Sequence, residues 1–236
     1  MSELSWKMYE QMYVHGAPSQ EKLEYFFYLL LVKQYFDMMG VTTPLVVEIG
    51  VRGVKQAAYY SKFIGGSYLG IDIQDKGRDY VMQGDSRDKA TLDKLVHRLG
   101  GRKIDLLFID GDHAYDTVKS DWDMYSPLVK HIVAFHDICW GMDWMPDKQG
   151  EKPSVRQFWQ ELYGLGHQMI SLELPDLMEI EEDDGSITKA QGGSGIGLVF
   201  MNRKFDALRV KYKGSRFSKL WGKDGRAYPR FKPMEG

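Results

Sequence analysis

The chain has 236 residues, 43% of them apolar and 27% charged, with 25 glycines, 8 prolines and 13% aromatics. That size suits one large domain with appendages, and the apolar content excludes a disordered or collagen-like chain. A single cysteine, Cys139, excludes an intramolecular disulfide framework and a multi-cysteine zinc site, and it fits a reducing compartment.

No apolar run approaches the roughly 20 residues of a membrane span; the greasiest stretch, Tyr25 to Val32, is too short. No basic region followed by an apolar stretch opens the chain, so the expectation is a soluble, cytoplasmic protein. The net charge of -2 conceals an asymmetry. From Arg203 onward there are 11 basic and 3 acidic residues, against 20 basic and 30 acidic before it. Such a tail could touch an anionic partner; the simpler expectation is a solvated segment that neutralises an acidic body.

Glu21 to Met39 carries Leu23, Phe26, Phe27, Leu30, Leu31, Tyr35 and Met38 at helical spacing, and Gly40 ends the pattern. It holds no catalytic pattern, so a cap, a substrate lid or a homo-oligomer contact is expected. From Leu45 the pattern changes to short apolar runs, each followed by a helical stretch. Strands are predicted at Leu45 to Ile49, Ser67 to Asp72, Tyr80 to Gly84, Ile104 to Ile109 and His131 to Phe135. Helices are predicted at Ala57 to Phe63, Lys89 to Leu99, Asp116 to Leu128 and Ser154 to Tyr163. Late strands follow at Gln168 to Glu173 and Ile196 to Met201. The expected fold is α/β: a doubly wound, mostly parallel seven-stranded sheet with a late antiparallel hairpin strand, helices on both faces and an N-terminal helical cap. Between the late strands, Glu179 to Asp184 has five acidic residues in six and reads as a solvated hairpin tip; it lacks EF-hand spacing.

Open parallel sheets bind ligands at the carboxyl ends of their strands. The first predicted strand runs into Glu48, Ile49, Gly50, Val51, Arg52 and Gly53. Glycines there let the backbone approach a ligand, while the Glu48 carboxylate repels a pyrophosphate and suits a cationic one. The second strand ends in Asp72, placed to accept from ribose hydroxyls, and Gly84, Asp85 and Ser86 follow the third, with groups suited to an adenine edge.

With these residues in order, the stretch from about Leu45 to Met201 resembles the Rossmann-like class of S-adenosylmethionine-dependent methyltransferases. The second glycine, Gly53, comes one residue earlier than in that family's acidic-Gly-x-x-x-Gly turn. The resemblance implies a cofactor site at Glu48, Gly50, Arg52, Gly53, Asp72, Asp85, Ser86 and Asp110. It also implies three regions: 1–40 as a helical cap or lid, 41–203 as the methyltransferase domain and 204–236 as a basic extension.

The fourth and fifth strands run into Asp110, Gly111, Asp112, His113 and into His136, Asp137. Neighbouring strand ends lie roughly 5–10 Å apart, so these groups can converge. Carboxylates suit magnesium; an imidazole among them shifts the preference toward manganese, iron or zinc. The pattern Phe108, Ile109, Asp110, Gly111, Asp112, His113, Tyr115, then Asp121, Tyr125, Pro127, His136 and Asp137, resembles metal-dependent sugar and natural-product O-methyltransferases of the macrocin and cephalosporin-hydroxylase-like group. Val155, Phe158, Trp159 and Leu162 add to the match. The resemblance implies S-adenosylmethionine and a divalent ion, magnesium or manganese, as cofactors. It implies metal ligands at Asp110, His136 and Asp137, and His113 as general base. In that group the position of His136 is usually acidic, so His136 either ligates or leaves the metal site weakened. Asp112, Asp116 and Asp121 read as caps and surface charges of the next helix. Trp140, Trp144 and Met145 lie on a stretch with Gly141, Pro146 and Gly150 and read either as a lid over a ring-shaped substrate or as anchors of their loop.

The expected function is methyl transfer to a hydroxyl of a sugar or glycosylated small molecule. A binding domain with a degraded metal site is the competitor. A nucleic-acid enzyme guided by the basic tail is disfavoured, because no Asp/Asn-Pro-Pro-aromatic motif is present.

Overall fold

The computed structural model describes residues 22–139, 154–173, 177–181, 187–191, 195–202, 220–222 and 230–234. In chain order the elements are α1 (Lys22–Met39), β1 (Leu45–Ile49), α2 (Gln56–Ile64), β2 (Ser67–Asp72), β3 (Val81–Gln83), α3 (Lys89–Leu99), β4 (Ile104–Ile109) and α4 (Tyr115–Tyr125). A 3-10 turn, Ser126–Leu128, leads into β5 (Val129–His136). Then come α5 (Val155–Gly164), β6 (Gln168–Glu173), β7 (Leu177–Glu181), β8 (Ile187–Gln191), β9 (Ile196–Phe200), β10 (Leu220–Gly222) and β11 (Arg230–Met234).

All seven predicted strands lie in one sheet, ordered β11-β6-β9-β5-β4-β1-β2-β3. β3, β2, β1, β4 and β5 run parallel, and β9, β6 and β11 continue the sheet antiparallel. The basic C-terminal segment therefore contributes an eighth strand. It also contributes β10, which joins β7 and β8 in a separate three-stranded sheet. The acidic run expected at a hairpin tip lies partly in β7, where Glu179 is in register with Lys189 of β8; residues 182–184 lie outside the described residues.

Every residue of β1 and β4 is buried, which is why they read as apolar runs without alternation, broken only by the buried Glu48 and Asp105. One sheet face packs Val46, Leu106, Phe108, Ile132 and Leu198 against α1 and α2. The other packs Val47, Leu107, Ile109, Val133, Phe135 and Val199 against residues of α3, α4 and α5. Gly197 of β9 has no side chain because the Trp159 ring of α5 occupies that space.

α1 is buried more deeply than its apolar stripe alone implied. Glu24, Tyr25, Phe26, Phe27, Tyr28 and Leu29 are all wholly inaccessible, so the helix is a layer of the core. A helix apolar on one face only would leave its other face wet; here aromatic rings occupy the intervening positions, with Tyr28 against Phe108 at 5.2 Å between ring centres. Among the described residues, no helix is long and apolar enough to cross a membrane.

Register places the site. Ile49 of β1 is level with Ile71 of β2 and Ile109 of β4, and Ile109 is level with Phe135 of β5. Gly50, Asp72, Asp110 and His136 follow these residues directly and so share one edge of the sheet.

Candidate active site

A cavity of about 620 Å³ opens at that edge. Of the residues expected to bind cofactor or metal, Gly50, Arg52, Asp72, Asp85, Ser86, Asp110, His113, His136 and Asp137 line it. Glu48 and Gly53 do not.

Gly50 has φ +91, and a Cβ there would fall inside the Asp110 carbonyl. The first turn and the end of β4 thus approach closely only because position 50 is glycine.

Glu48 is a correction. Alternation along β1 turns its side chain to the Val46 face, where it is wholly buried near Tyr25, Tyr28, Tyr60 and Tyr68. The Tyr68 hydroxyl donates to its Oε2 at 2.6 Å, and among the described residues Oε1 has no partner. Loss of solvation raises its pKa to about 8 against the lowering effect of the Tyr68 hydrogen bond, with Asp110 and Asp72 adding to the rise. Burial thus favours the neutral acid, and the side chain lies off the cavity.

Two cavity-lining carboxylates come with partners that the sequence did not reveal. Asp72 accepts the Gln74 backbone N–H at 2.8 Å, and its Oδ2 lies 3.3 Å from Lys76 Nζ. Asp85 takes Arg87 in a fork, at 3.0 Å from Nε and 2.6 Å from Nη2, and that hydrogen bonding lowers its carboxyl to about 2. Lys76 and Arg87 both line the cavity. Their only sequence signal was a basic residue two to four positions beyond each strand-end acid.

Asp112 behaves as expected of a helix-start residue, accepting from Ala114 N–H at 3.3 Å and Thr117 Oγ1 at 2.9 Å. Asp121 does not: it is wholly inaccessible, and among the described residues neither oxygen has a partner at hydrogen-bonding geometry. Burial lifts it to about 6, opposed by the nearby Ser86 hydroxyl.

At the β4 and β5 ends, ligand atoms of Asp110, His113 and Asp137 all lie within 4.8 Å of one another. Asp137 has φ +61, a left-handed conformation that Asp tolerates better than most residues; it turns the chain sharply as β5 ends. Its Oδ2 lies 2.8 Å from His113 Nε2 and 3.2 Å from His136 Nδ1, while Oδ1 is buried and has no hydrogen-bond partner among the described residues. His136 Nδ1 is also 3.1 Å from Asp110 Oδ1, and its Nε2 is 3.3 Å from Glu24 Oε1. Three carboxylates thus surround one buried imidazole. Burial alone would push His136 toward its neutral form, but Asp110, Asp137 and Glu24 outweigh it and raise its pKa well above the usual value. The two histidines in turn hold Asp137 far below the usual carboxylate range against the cost of its burial.

The group able to hold an ion is Asp110, His113 and Asp137, where the expected set was Asp110, His136 and Asp137; His136 has both ring nitrogens turned to carboxylates. A buried, unpartnered carboxylate oxygen beside a second carboxylate and an imidazole fits a divalent cation. Trp140, Trp144 and Met145 lie outside the described residues.

Residues 55–138 match a family model described as a methyltransferase domain. No curated protein sequence matches the chain significantly. Among solved structures, the chain is similar to the MycE methyltransferase of the mycinamycin biosynthetic pathway, in complex with Mg, SAH and mycinamycin VI. The identity is 17% and the TM-score 0.49, over 76% of this chain and 50% of that one. It is also similar to an O-methyltransferase from Bacillus cereus in complex with SAH, at 14% identity and a TM-score of 0.45, over 85% and 91% of the two chains. A SAM-dependent methyltransferase from Archaeoglobus fulgidus follows at 13% and 0.42, over 73% and 93%. The chain spans about half the length of MycE. The family-model match lies across β2 to β5 and the sheet edge they form, so this part of the chain is similar to a methyltransferase domain.

Proposed function

We propose that the protein transfers the methyl group of S-adenosylmethionine to a hydroxyl of a sugar or glycosylated natural product, with a divalent ion held by Asp110, His113 and Asp137. The observation that carries this reading is the convergence of those three side chains, with the unpartnered Asp137 Oδ1, at the edge of the cavity that Gly50, Asp72 and Asp85 line. The hydroxyl acceptor follows from the sequence resemblance around Asp110 to Asp137.

In this reading Asp72 faces the ribose, Asp85 and Ser86 the adenine, and Gly50 and Arg52 the methionine end. Bound S-adenosylmethionine would supply an electrophilic methyl group to the acceptor oxygen, leaving as the thioether, and the hydroxyl proton would pass to a base of this chain. A bound divalent ion would supply Lewis acidity, lowering the hydroxyl pKa. His136 holds Asp110 and Asp137 from behind through Nδ1.

The 2.8 Å contact between His113 and Asp137 supports a second arrangement. There His113 donates Nε2–H to Asp137 and takes the hydroxyl proton at Nδ1, as a base rather than a ligand. Incubation with S-adenosylmethionine, Mg²⁺ and a panel of sugar and phenol acceptors, read by mass for one added methyl, tests the activity. His113→Ala then separates the arrangements. Loss of Mn²⁺ affinity marks a ligand, whereas turnover lower by about 10²–10⁴-fold with unchanged Mn²⁺ affinity marks a base. No transfer to any hydroxyl acceptor, with or without metal, would count against the reading.

A further inference from the structure

Glu24 lies in α1, outside the 55–138 match, and carries no motif. Its side chain is wholly inaccessible. Burying a carboxylate costs several kcal/mol unless it is well partnered, so its contacts identify its task. Oε2 accepts the Gly195 backbone N–H at 2.7 Å, which ties α1 to the start of β9. Oε1 lies 3.3 Å from His136 Nε2, an ion-pair contact outside hydrogen-bond geometry, and neither atom has a hydrogen-bond partner among the described residues. The opposite ring nitrogen, Nδ1, stands 3.1 Å from Asp110 Oδ1 and 3.2 Å from Asp137 Oδ2. An imidazole is rigid, so a partner that holds Nε2 sets the direction of Nδ1 about 2 Å across the ring.

We propose that Glu24 is a positioning residue that, by holding the His136 ring, sets the spacing and orientation of the Asp110 and Asp137 carboxylates. It rests on the reading of those two carboxylates as ion ligands. A residue that only packed α1 against the sheet would need the Gly195 contact alone; the second oxygen aimed at a ring shared by both ligands is what a positioning role adds. Removing such outer partners typically weakens metal binding by about 10–100-fold.

The test is Mn²⁺ titration of the metal-free protein by electron paramagnetic resonance, with S-adenosylhomocysteine affinity by calorimetry as the control for an intact fold. Glu24→Ala should weaken Mn²⁺ binding by about 10-fold or more, with S-adenosylhomocysteine affinity unchanged, since Glu24 does not line the cavity. Glu24→Gln, which keeps the length of the side chain and a polar oxygen beside the His136 ring, should bind Mn²⁺ more tightly than Glu24→Ala. Equal or weaker binding by Glu24→Gln, or wild-type affinity in Glu24→Ala, would overturn the proposal. Wild-type protein that binds no Mn²⁺ would instead overturn the metal reading, and this role with it. Should Glu24→Ala not fold, ring nitrogen NMR of the metal-free wild type decides. A slowly exchanging proton on His136 Nε2 supports the proposal, and an unprotonated Nε2 overturns it.

Discussion

Glu48→Gln tests how the first turn is built. The carboxyl is wholly buried, accepts the Tyr68 hydroxyl, and is lifted by loss of solvation from the ordinary 4.5 to about 8. Between those pH values the folded protein keeps a proton that the unfolded chain has released, so stability falls as pH rises. Each unit is worth about 1.4 kcal/mol. The loss is absent below the unfolded pKa, grows through neutrality, and reaches roughly 5 kcal/mol above the folded pKa. Glutamine has nearly the same shape, can accept the same hydroxyl and has no proton to lose. Urea unfolding of both proteins from pH 5 to pH 9 isolates this one group, because other titrations cancel in the difference. The two should be within about 1 kcal/mol at pH 5, with the variant more stable by several kcal/mol near pH 9. S-adenosylhomocysteine affinity should not change, since Glu48 lies off the cavity. A difference flat with pH, or loss of cofactor affinity in the variant, would refute the buried neutral acid and restore the sequence-based expectation of a ligand-facing charge.

Gly50→Ala should destabilise the protein by about 2–4 kcal/mol, combining the positive φ with the collision at the Asp110 carbonyl. It should weaken Mn²⁺ and S-adenosylhomocysteine together, which thermal melts and calorimetry can check. Arg87→Ala should let the Asp85 carboxyl return from about 2 toward its usual value by NMR titration. Stability should hardly change, because the pair is exposed.

The strand ends were legible for a physical reason. Parallel strands covered on both faces leave continuous apolar runs, so the first polar residue or glycine after each run marks the edge where ligands bind. Gly50, Asp72, Gly84, Asp110 and His136, all of which line the cavity, were readable in this way. What depends on facing was not. Glu48 sits one residue before the edge, and alternation turns it inward among tyrosines. That His113, rather than His136, lies with Asp110 and Asp137 goes with the left-handed turn at Asp137 and with Glu24, some 110 residues upstream, neither of which leaves a local pattern. The 3.6-residue spacing of α1 identified its apolar stripe, but Tyr25 and Tyr28 bury the other side as well. β7, β8 and β11 carry charged residues in short segments and β10 is only three residues long, so none gave an apolar run to recognise.

Calorimetric titration of S-adenosylhomocysteine and Mn²⁺ into the wild type and Asp110→Ala addresses the central claim most directly. The wild type should bind one of each. Asp110→Ala should lose the ion yet remain folded, since a cavity-lining carboxylate at a strand end contributes little to the core. A wild type that fails to bind S-adenosylhomocysteine, or an ion bound equally well without the Asp110 carboxylate, would contradict it.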